Sequence, residues 1–390
     1  MSDNTLVNPN LEFIDEVVGL GGDSLKKCFQ CATCAVACPI APENSPFPRK
    51  EMIAASWGLK DRLVGSADIW LCHECGDCST LCPRGAAPGD VLSAVRSYAI
   101  KEYAQPKVLA DMVTDKGKLP LLTAIPAAWF ALMAIITMFF GGTMEKIFGF
   151  VGVHWVHHTD APIAQARFIS SWLVDFTFVP LATAVVVIFF LSLKRMINDM
   201  HENALAEGKT DKQDLDVKEF LKTIPAVLPK ILKHKQFNEC GENKARGTAH
   251  MMVLYGFVGC FIATTIGFFL LYVVGSAGPY SQLNPLKWFG NLGGILIVLG
   301  AALMIKERLG KDKTSAYKDW YLLGLVIGLG ATGLLTQMAR LAGSTFGTYL
   351  IYYIHLIMVF HLFAYLPFSK MAHFVYRIVG MTYAEYANRQ

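Results

Sequence analysis

Charge is scarce in this 390-residue chain. Only 17% of its residues are charged, whereas 53% are hydrophobic, and an average soluble domain is about a quarter charged. The deficit is uneven, because residues 1–119 have a soluble composition and the remainder holds apolar runs long enough to cross a bilayer. An ordinary soluble protein is therefore excluded. The net charge of +4 is small, and the basic residues follow the loops between apolar runs, so we expect no nucleic-acid partner.

Two further features are missing. The opening stretch MSDNTLVNPNLEFIDEVVGL has neither a basic start nor an apolar core, so it does not resemble a secretory signal peptide. The cysteine-rich part that follows is expected to stay in the reducing compartment where it is made, which disfavours disulfides. No glycine-rich dinucleotide fingerprint follows a strand pattern, and GLGGD near the start is a turn-like run. We therefore expect no flavin or nucleotide in this chain.

The sequence does contain a repeated cysteine pattern. CFQCATCAVACP begins at Cys28 and CHECGDCSTLCP begins at Cys72, and both follow C-x2-C-x2-C-x3-C-P. This is the bacterial ferredoxin pattern, in which three cysteines hold one 4Fe–4S cluster and the fourth ligates the other cluster. Zinc sites built on paired CxxC motifs fit the pattern less well. Two 4Fe–4S clusters are therefore predicted. The first takes Cys28, Cys31, Cys34 and Cys82, and the second takes Cys72, Cys75, Cys78 and Cys38.

Six apolar segments follow the cysteine-rich part, and each is near the length of about 20 residues that a spanning helix needs. Six in succession, joined by charged connectors, favour membrane helices over the core helices of a soluble protein. The predicted fold is mainly α, with an enlarged helical two-cluster ferredoxin domain at 1–115 and a six-span membrane domain at 116–390. The predicted spans are 120–140, 168–193, 251–275, 287–305, 320–342 and 349–368.

Lysine and arginine set the expected orientation. They are concentrated in the connectors 194–250 and 306–319 and are nearly absent from 141–167 and 343–348. By the positive-inside rule the basic connectors lie in the cytoplasm, and with an even number of spans both termini and the ferredoxin domain lie there too. A multi-pass protein of the inner (cytoplasmic) membrane is predicted. Within the first basic connector, 216–237 is either an interfacial amphipathic segment or a solvated basic loop that docks a partner.

Histidines near the spans are candidate redox ligands. His355 and His373 are 18 positions apart, so on one regular helix they would share a face at a separation of about 27 Å. His250 opens the third span and has the same expected depth as His373. This pairing suggests bis-histidine ligation of a haem b. His361 does not share the face of His355, and we expect it to pack or to contact a quinone rather than to ligate.

Two stretches resemble the membrane cytochrome b subunit of respiratory nitrate reductases. HLIMVFHLFAYLPFSKMAHFVY is similar to its last span, and HMMVLYGFVGC to an earlier span with two histidines ten apart. The resemblance implies an inner haem on His250 and His373. It also implies an outer haem on His355, but Cys260 stands where that family has the second outer ligand. One haem b is expected and a second is left open. Substitutes for the missing ligand are His154, His157 and His158 in the outer connector.

The order of the two parts carries a wider resemblance. It is similar to a fusion of the iron–sulfur and cytochrome b subunits of heterodisulfide reductases, and most similar to the membrane subunit of the quinone-interacting membrane-bound oxidoreductase (Qmo) family of sulfate-reducing bacteria. The resemblance covers nearly the whole chain. It implies an electron-transfer oxidoreductase subunit that is not a complete enzyme alone, with menaquinone as substrate. It also implies soluble flavin- and iron–sulfur-containing partner subunits that feed adenylylsulfate reductase in sulfate respiration.

Two other functions remain open from the sequence. One is the membrane subunit of a heterodisulfide-reductase-like complex that uses another quinone-type carrier, such as methanophenazine. The other is a transporter or scaffold whose clusters are structural. No catalytic residue is assigned in any of these cases.

Overall fold

The structure, a computed structural model, describes residues 8–43, 45–149, 161–233, 241, 244–276, 278–310 and 316–388. These residues are mainly helical and contain no strand. The predicted mainly α fold class is thus confirmed.

The cysteine-rich part consists of short helices and loops. Its longest helix, α7, starts with Pro88 in the first turn, where the missing backbone N–H removes no helical hydrogen bond. α7 supplies Val91, Leu92 and Val95 to the hydrophobic core. The helices of this part are α1 (Leu11–Val17), α2 (Thr33–Ala37), α3 (Arg49–Ser56), α4 (Lys60–Val64), α5 (Asp68–Leu71), α6 (Asp77–Thr80), α7 (Pro88–Tyr103) and α8 (Lys107–Thr114).

Among the described residues, six helices are long and apolar enough to cross a membrane, as predicted. Lipid offers no hydrogen-bonding partner to the backbone, so an apolar run of this length satisfies its own backbone groups as a helix. A short helix, α10 (Gln165–Phe168), precedes the second of them. The six are α9 (Leu119–Phe148), α11 (Ser171–Ala206), α13 (Lys244–Tyr272), α14 (Pro285–Leu309), α15 (Tyr317–Leu341) and α16 (Thr345–Ala364).

Helix α11 is longer than a bilayer requires. It has 36 residues, which extend over about 54 Å, whereas the hydrocarbon layer is about 30 Å thick. Met196 and Met200, in its C-terminal part, are buried in the same core as Phe13 and Trp70 of the cysteine-rich part. The second span therefore continues as a supporting helix of the cysteine-rich part.

Two helices outside the spans complete this core. α12 (Val217–Leu232) is capped by the side chain of Asp216 and continues through both of its internal prolines. α17 (His373–Tyr386) is the last helix. The rings of Phe220 and Tyr386 join the two helices, with centroids 6.0 Å apart. Within the basic segment, residues 217–232 therefore form a helix with one face packed on this chain, a contact that neither sequence interpretation included.

The sixth span ends earlier than predicted. α16 ends at Ala364, and two short 3₁₀ turns around Pro367 separate it from α17. Tyr365, directly after Ala364, leaves the helical conformation with a ψ of 2°, and Ser369 is extended with a ψ of 167°, so the α-helix is interrupted twice before His373. The prediction that His355 and His373 lie on one regular helix is therefore wrong, and the 27 Å separation (about five helical turns) does not apply. Their roles as ligands stay predictions.

Candidate electron-transfer site

The first predicted ligand set surrounds one cavity near the surface. Cys28, Cys31, Cys34 and Cys82 all line this cavity. Cys82 belongs to the second motif, so both motifs contribute to it. Burial, and then the neighbouring thiol of Cys28, raise the pKa of Cys34 to about 11. Cys31 is exposed, so this group lies close to solvent.

The second predicted ligand set lies deeper. Cys72 and Cys75 are buried. Burial, and then the nearby Cys72, raise the pKa of Cys78 to about 12, and Cys75 and Cys38 act in the same direction. Burial also raises the pKa of Cys38 to about 11, with Cys72 and Cys75 as its charged neighbours. The fold thus brings together the same cysteines that the cross-over pattern groups, although their binding of iron stays a prediction.

The two cysteine loops have the same backbone conformation. Gln30 and Ala32 have φ values of 61° and 69°, and Glu74 and Gly76, at the equivalent positions of the second motif, have 55° and 101°. For a residue other than glycine this left-handed conformation costs about 1 kcal/mol or more. Left-handed residues alternating with ordinary ones turn successive N–H groups inward, which makes a concavity suited to iron–sulfur clusters. The strained conformation recurs at both sites, as expected for two equivalent binding loops.

The arrangement of the thiols suits a polynuclear centre. Within the described part of the chain, no three His, Cys, Asp or Glu side chains are placed to hold one metal ion. Four cysteines spread around a cavity can instead each bind one corner of a 4Fe–4S cluster. Thiolates bind as anions, and the iron atoms would supply the positive charge that offsets their mutual repulsion. The residues present therefore fit a cluster better than a single zinc ion.

A buried ionic layer lies between the second cysteine loop and the membrane helices. The Glu74 carboxylate is 3.2 Å from the guanidinium of Arg96 and 3.7 Å from that of Arg246, which belongs to α13. Arg246 also donates a hydrogen bond to the carbonyl oxygen of Glu74. Burial opposes ionisation, but the positive charges of Lys370, Arg246 and Arg96 hold the pKa of Glu74 well below its usual range. The carboxylate therefore stays charged and ties the loop to the spans.

Further contacts extend this layer. Arg377 of α17 donates hydrogen bonds to the carbonyl oxygens of Leu71 and Cys72, both at 3.3 Å. Lys318 of α15 donates to the hydroxyl of Ser97 in α7 at 2.7 Å. The second cysteine group therefore lies on the side of the cysteine-rich part that faces the membrane helices.

His250 of α13 and His373, the first residue of α17, lie side by side. Their ring centroids are 6.3 Å apart. Two imidazoles on opposite faces of one iron would have centroids about 6 Å apart, because each metal–nitrogen bond is about 2 Å. The Nδ1 atom of His373 pairs with the carbonyl oxygen of Lys370 at 2.7 Å, so Nε2 is the nitrogen that would bind a metal. Burial lowers the pKa of His373 to about 4, which favours the neutral, ligating form. The pair fits bis-histidine ligation of a haem b.

The residues predicted for an outer haem face different helices. His355 Nδ1 pairs with the hydroxyl of Thr332 in α15 at 2.8 Å. The Sγ atom of Cys260 lies against α14, only 3.0 Å from where a Cβ on Gly293 would stand. The outer-connector candidates, His154, His157 and His158, lie outside the described residues. An outer haem on His355 therefore remains a prediction.

Sequence reasoning missed the ionic layer and one histidine–tyrosine pair. In the sequence, Arg246 served only as one of the basic residues that set the membrane orientation, yet it contacts the second cysteine loop. A signal was present, because Glu74 is a charged residue between cluster ligands at the position where the first motif has Gln30. The missed pair joins His361 Nδ1 to the hydroxyl of Tyr321 at 3.0 Å. Nothing in the sequence linked these two residues, which lie on different spans.

Two protein families match separate parts of the chain. Residues 24–86 match the family of 4Fe–4S dicluster domains, and residues 236–390 match the family of citrate utilization protein B. No solved structure shows significant similarity to the chain.

Three curated relatives illustrate the similarity. One subunit of the H2:CoB-CoM heterodisulfide,ferredoxin reductase of Methanothermobacter marburgensis is 37% identical over 95 residues, covering 24% of this chain and 51% of that protein. One subunit of the H2/formate:CoB-CoM heterodisulfide,ferredoxin reductase of Methanococcus maripaludis is 32% identical over 129 residues, covering 30% and 67%. The citrate utilization protein B of Escherichia coli is 24% identical over 382 residues, covering 92% and 89%.

The chain spans about half the length of the first of these relatives. The similarity to reductase subunits supports an iron–sulfur electron-transfer component of an oxidoreductase complex. The alignment with citrate utilization protein B runs through both the cysteine-rich part and the membrane part. By its N-terminal, cysteine-rich part, the chain belongs to the family of heterodisulfide reductase iron–sulfur subunits.

Proposed function

We propose that the chain is the membrane subunit of a respiratory oxidoreductase and passes electrons between a quinone in the bilayer and soluble partner subunits. One observation carries the proposal: the two cysteine groups differ in depth. The second group is buried beside the ionic layer and the membrane helices, and the first opens toward solvent at Cys31. A bound 4Fe–4S cluster takes up one electron at a time. Two clusters placed in this order would connect the membrane to the surface.

On the side that faces the membrane helices, one short helix, α17, would connect the haem site with the second cluster site. His250 and His373 would ligate haem b, and Arg377, one helical turn after His373, binds the carbonyl oxygen of Cys72. The same short helix therefore positions a haem ligand and a cluster ligand.

On the surface of the cysteine-rich part that lies away from the membrane helices, apolar residues surround the first cysteine group. Phe29, Val36 and Leu81 are 66%, 88% and 57% exposed, and the guanidinium of Arg84 lies 3.9 Å from the centroid of the Phe29 ring. Exposed apolar patches of this kind mark protein–protein contacts. Soluble flavin- and iron–sulfur-containing subunits of the same complex would dock here.

The finer assignments rest on the sequence resemblances. Menaquinone as substrate and a place in the Qmo complex of sulfate respiration follow from the order of the two parts. The positive-inside rule supports the inner membrane, with both termini and the 1–115 domain in the cytoplasm and the 116–390 domain in the bilayer. The alternative is a heterodisulfide-reductase-like complex with another quinone-type carrier, which the names of the relatives favour.

The test uses the purified complex. Electron paramagnetic resonance should detect two 4Fe–4S centres, and optical spectra should show a b-type haem. A menaquinol analogue should reduce both, and a dihydrophenazine analogue should not. Reduction by the phenazine alone would favour the alternative function. Loss of one haem per chain in both His250→Ala and His373→Ala would support the haem assignment, whereas full haem content in both would end it.

A further inference from the structure

One buried histidine in the membrane part has a polar atom without a partner. His361 is 6% exposed, and its Nδ1 atom pairs with the hydroxyl of Tyr321 at 3.0 Å. Its Nε2 atom is buried and has no hydrogen-bond partner among the described residues. Such an atom is costly in an apolar layer, so it calls for an explanation such as a bound ligand.

The pairing with Tyr321 lets the free nitrogen act in two ways. If the tyrosine hydroxyl donates to Nδ1, Nε2 carries the ring proton and is a donor. If Nδ1 carries the proton and donates to the tyrosine oxygen, Nε2 is an acceptor. A quinone presents carbonyl oxygens, which accept, and a quinol presents hydroxyl groups, which can donate. The His361–Tyr321 pair can therefore bind the oxidised and the reduced forms of one carrier.

The surroundings suit a planar ring. The hydroxyl of Tyr317 is also buried without a hydrogen-bond partner in the described part of the chain. The Tyr317 ring lies beside that of Tyr321, with centroids 6.0 Å apart. Tyr365 contacts His361 edge-on, with ring centroids 5.0 Å apart, and its own hydroxyl is held by the carbonyl oxygen of Leu122. Tyr365 thus offers an aromatic wall, while Tyr317 offers a second polar atom.

The depth of these residues also suits a quinone headgroup. Tyr321 lies four residues after the start of α15 and His361 three residues before the end of α16, which places each about 5 Å inside its helix end. These ends face the cysteine-rich part, because Lys318, one residue into α15, binds Ser97. The free nitrogen therefore lies at the edge of the apolar layer nearest the second cysteine group.

We propose that His361 Nε2 and the Tyr317 hydroxyl bind the ring oxygens of the quinone-type carrier. The site rests on the proposed function and specifies where its membrane substrate binds. An ordered water bridging the two polar atoms is the competing explanation, since buried waters commonly satisfy such groups.

The chain contains a matched control. His201 is also 6% exposed and pairs through Nδ1 with the hydroxyl of Tyr383 at 3.0 Å. Its second nitrogen, however, pairs with the carbonyl oxygen of Gln213 at 3.4 Å. The two histidine–tyrosine pairs therefore differ in whether the remaining nitrogen is satisfied.

The experiment measures binding rather than turnover. A fluorescent quinoline N-oxide, a quinol analogue, and a short-chain naphthoquinone would be titrated into the full-length chain in lipid nanodiscs. We expect His361→Phe to weaken both by about tenfold or more, the effect of losing a hydrogen bond to a buried group. Tyr317→Phe should weaken them less, and Tyr383→Phe should leave binding unchanged.

A second readout guards against a folding defect. The double variant His361→Phe/Tyr321→Phe removes the unsatisfied nitrogen together with the Tyr321 hydroxyl that would otherwise lose its partner, so without ligand it should melt near the wild-type temperature. If the wild type binds the probes and both His361→Phe and Tyr317→Phe bind them equally well, the proposed quinone site is refuted. The proposed function is not affected by that result. A wild-type chain that binds neither probe overturns the quinone function itself and this site with it.

Discussion

Gly380 marks a very close approach between α17 and the cysteine-rich part. A Cβ added at Gly380 would lie 2.5 Å from Cβ and 2.8 Å from Cγ of Trp70. Trp70 is fully buried and stacks on Tyr376, with ring centroids 5.4 Å apart. Its ring therefore cannot swing away. We expect Gly380→Ala to push α17 away from the segment that leads into Cys72.

Two effects of opposite sign set the size of this change. Replacing glycine by alanine inside a helix stabilises by about 0.5–1 kcal/mol. Overpacking a filled core costs about 1–3 kcal/mol, and contacts shorter than 3 Å to an immobile ring place this site toward the upper end. The net expectation is a destabilisation of about 1–2 kcal/mol. Without the close contact to Trp70, the same substitution would stabilise the protein. The sign of the measured change in stability therefore shows whether the close contact exists.

The assay is thermal unfolding of the detergent-solubilised chain, followed by tryptophan fluorescence and by the visible absorbance of the clusters. The control is Gly142→Ala in α9, because an added Cβ at Gly142 meets no atom of the described residues within 4 Å. Gly380→Ala should lower the melting temperature and release cluster absorbance earlier, and the control should do neither. A melting temperature of Gly380→Ala at or above wild type refutes the close packing.

Three further predictions concern the cofactor ligands and the ionic layer. Cys82→Ala should remove the cluster held by the first motif, and the control Cys260→Ala should leave the iron content unchanged. An intact first-motif cluster in Cys82→Ala would contradict the assignment of Cys82 to that cluster. If the chain binds a second, outer haem, His355→Ala should lower the haem content from two per chain to one, and a stoichiometry of one that the mutation leaves unchanged rules out the outer haem. Because its pKa is lowered in the folded state, Glu74 stabilises the fold above its unfolded pKa and loses this effect as the pH falls. The stability difference between wild type and Glu74→Gln, from denaturation at several pH values, should therefore be largest near neutral pH and shrink below about pH 4, and a constant difference would exclude the ionic role.

The cysteine groups and the spans could be predicted because their causes are local. The spacing of Cys28, Cys31 and Cys34 wraps one loop around one cavity, and its repetition at Cys72 supplies the partner loop. The six spans follow from continuous apolar runs, since a helix in lipid must satisfy its backbone within itself. Neither inference needs to know which residues meet in three dimensions.

The remaining features depend on contacts between distant residues. The hydrogen bond from Arg377 to the carbonyl oxygen of Cys72 joins positions 305 apart, and no periodicity in the sequence encodes it. The end of α16 is different, because the sequence contains a residue, Pro367, that indicates it. Pro367 lies between His355 and His373 in the sequence, and in the structure it belongs to a 3₁₀ turn that, with the extended Ser369, separates α16 from the new helix that starts at His373.

Helix α17 explains how the His250–His373 pair and the second cysteine loop keep a fixed position relative to each other. His373, Arg377 and Gly380 follow one another at intervals of four and three residues, so they project from one face of α17. The first lies beside His250, the second binds the carbonyl oxygen of Cys72, and the third fits against Trp70 just before that cysteine. A single rigid face thus carries a haem-ligand candidate and both contacts to the cluster loop. Displacing it at Gly380 should therefore also alter the spectrum of a haem bound at His373, although the two positions are about two helical turns apart.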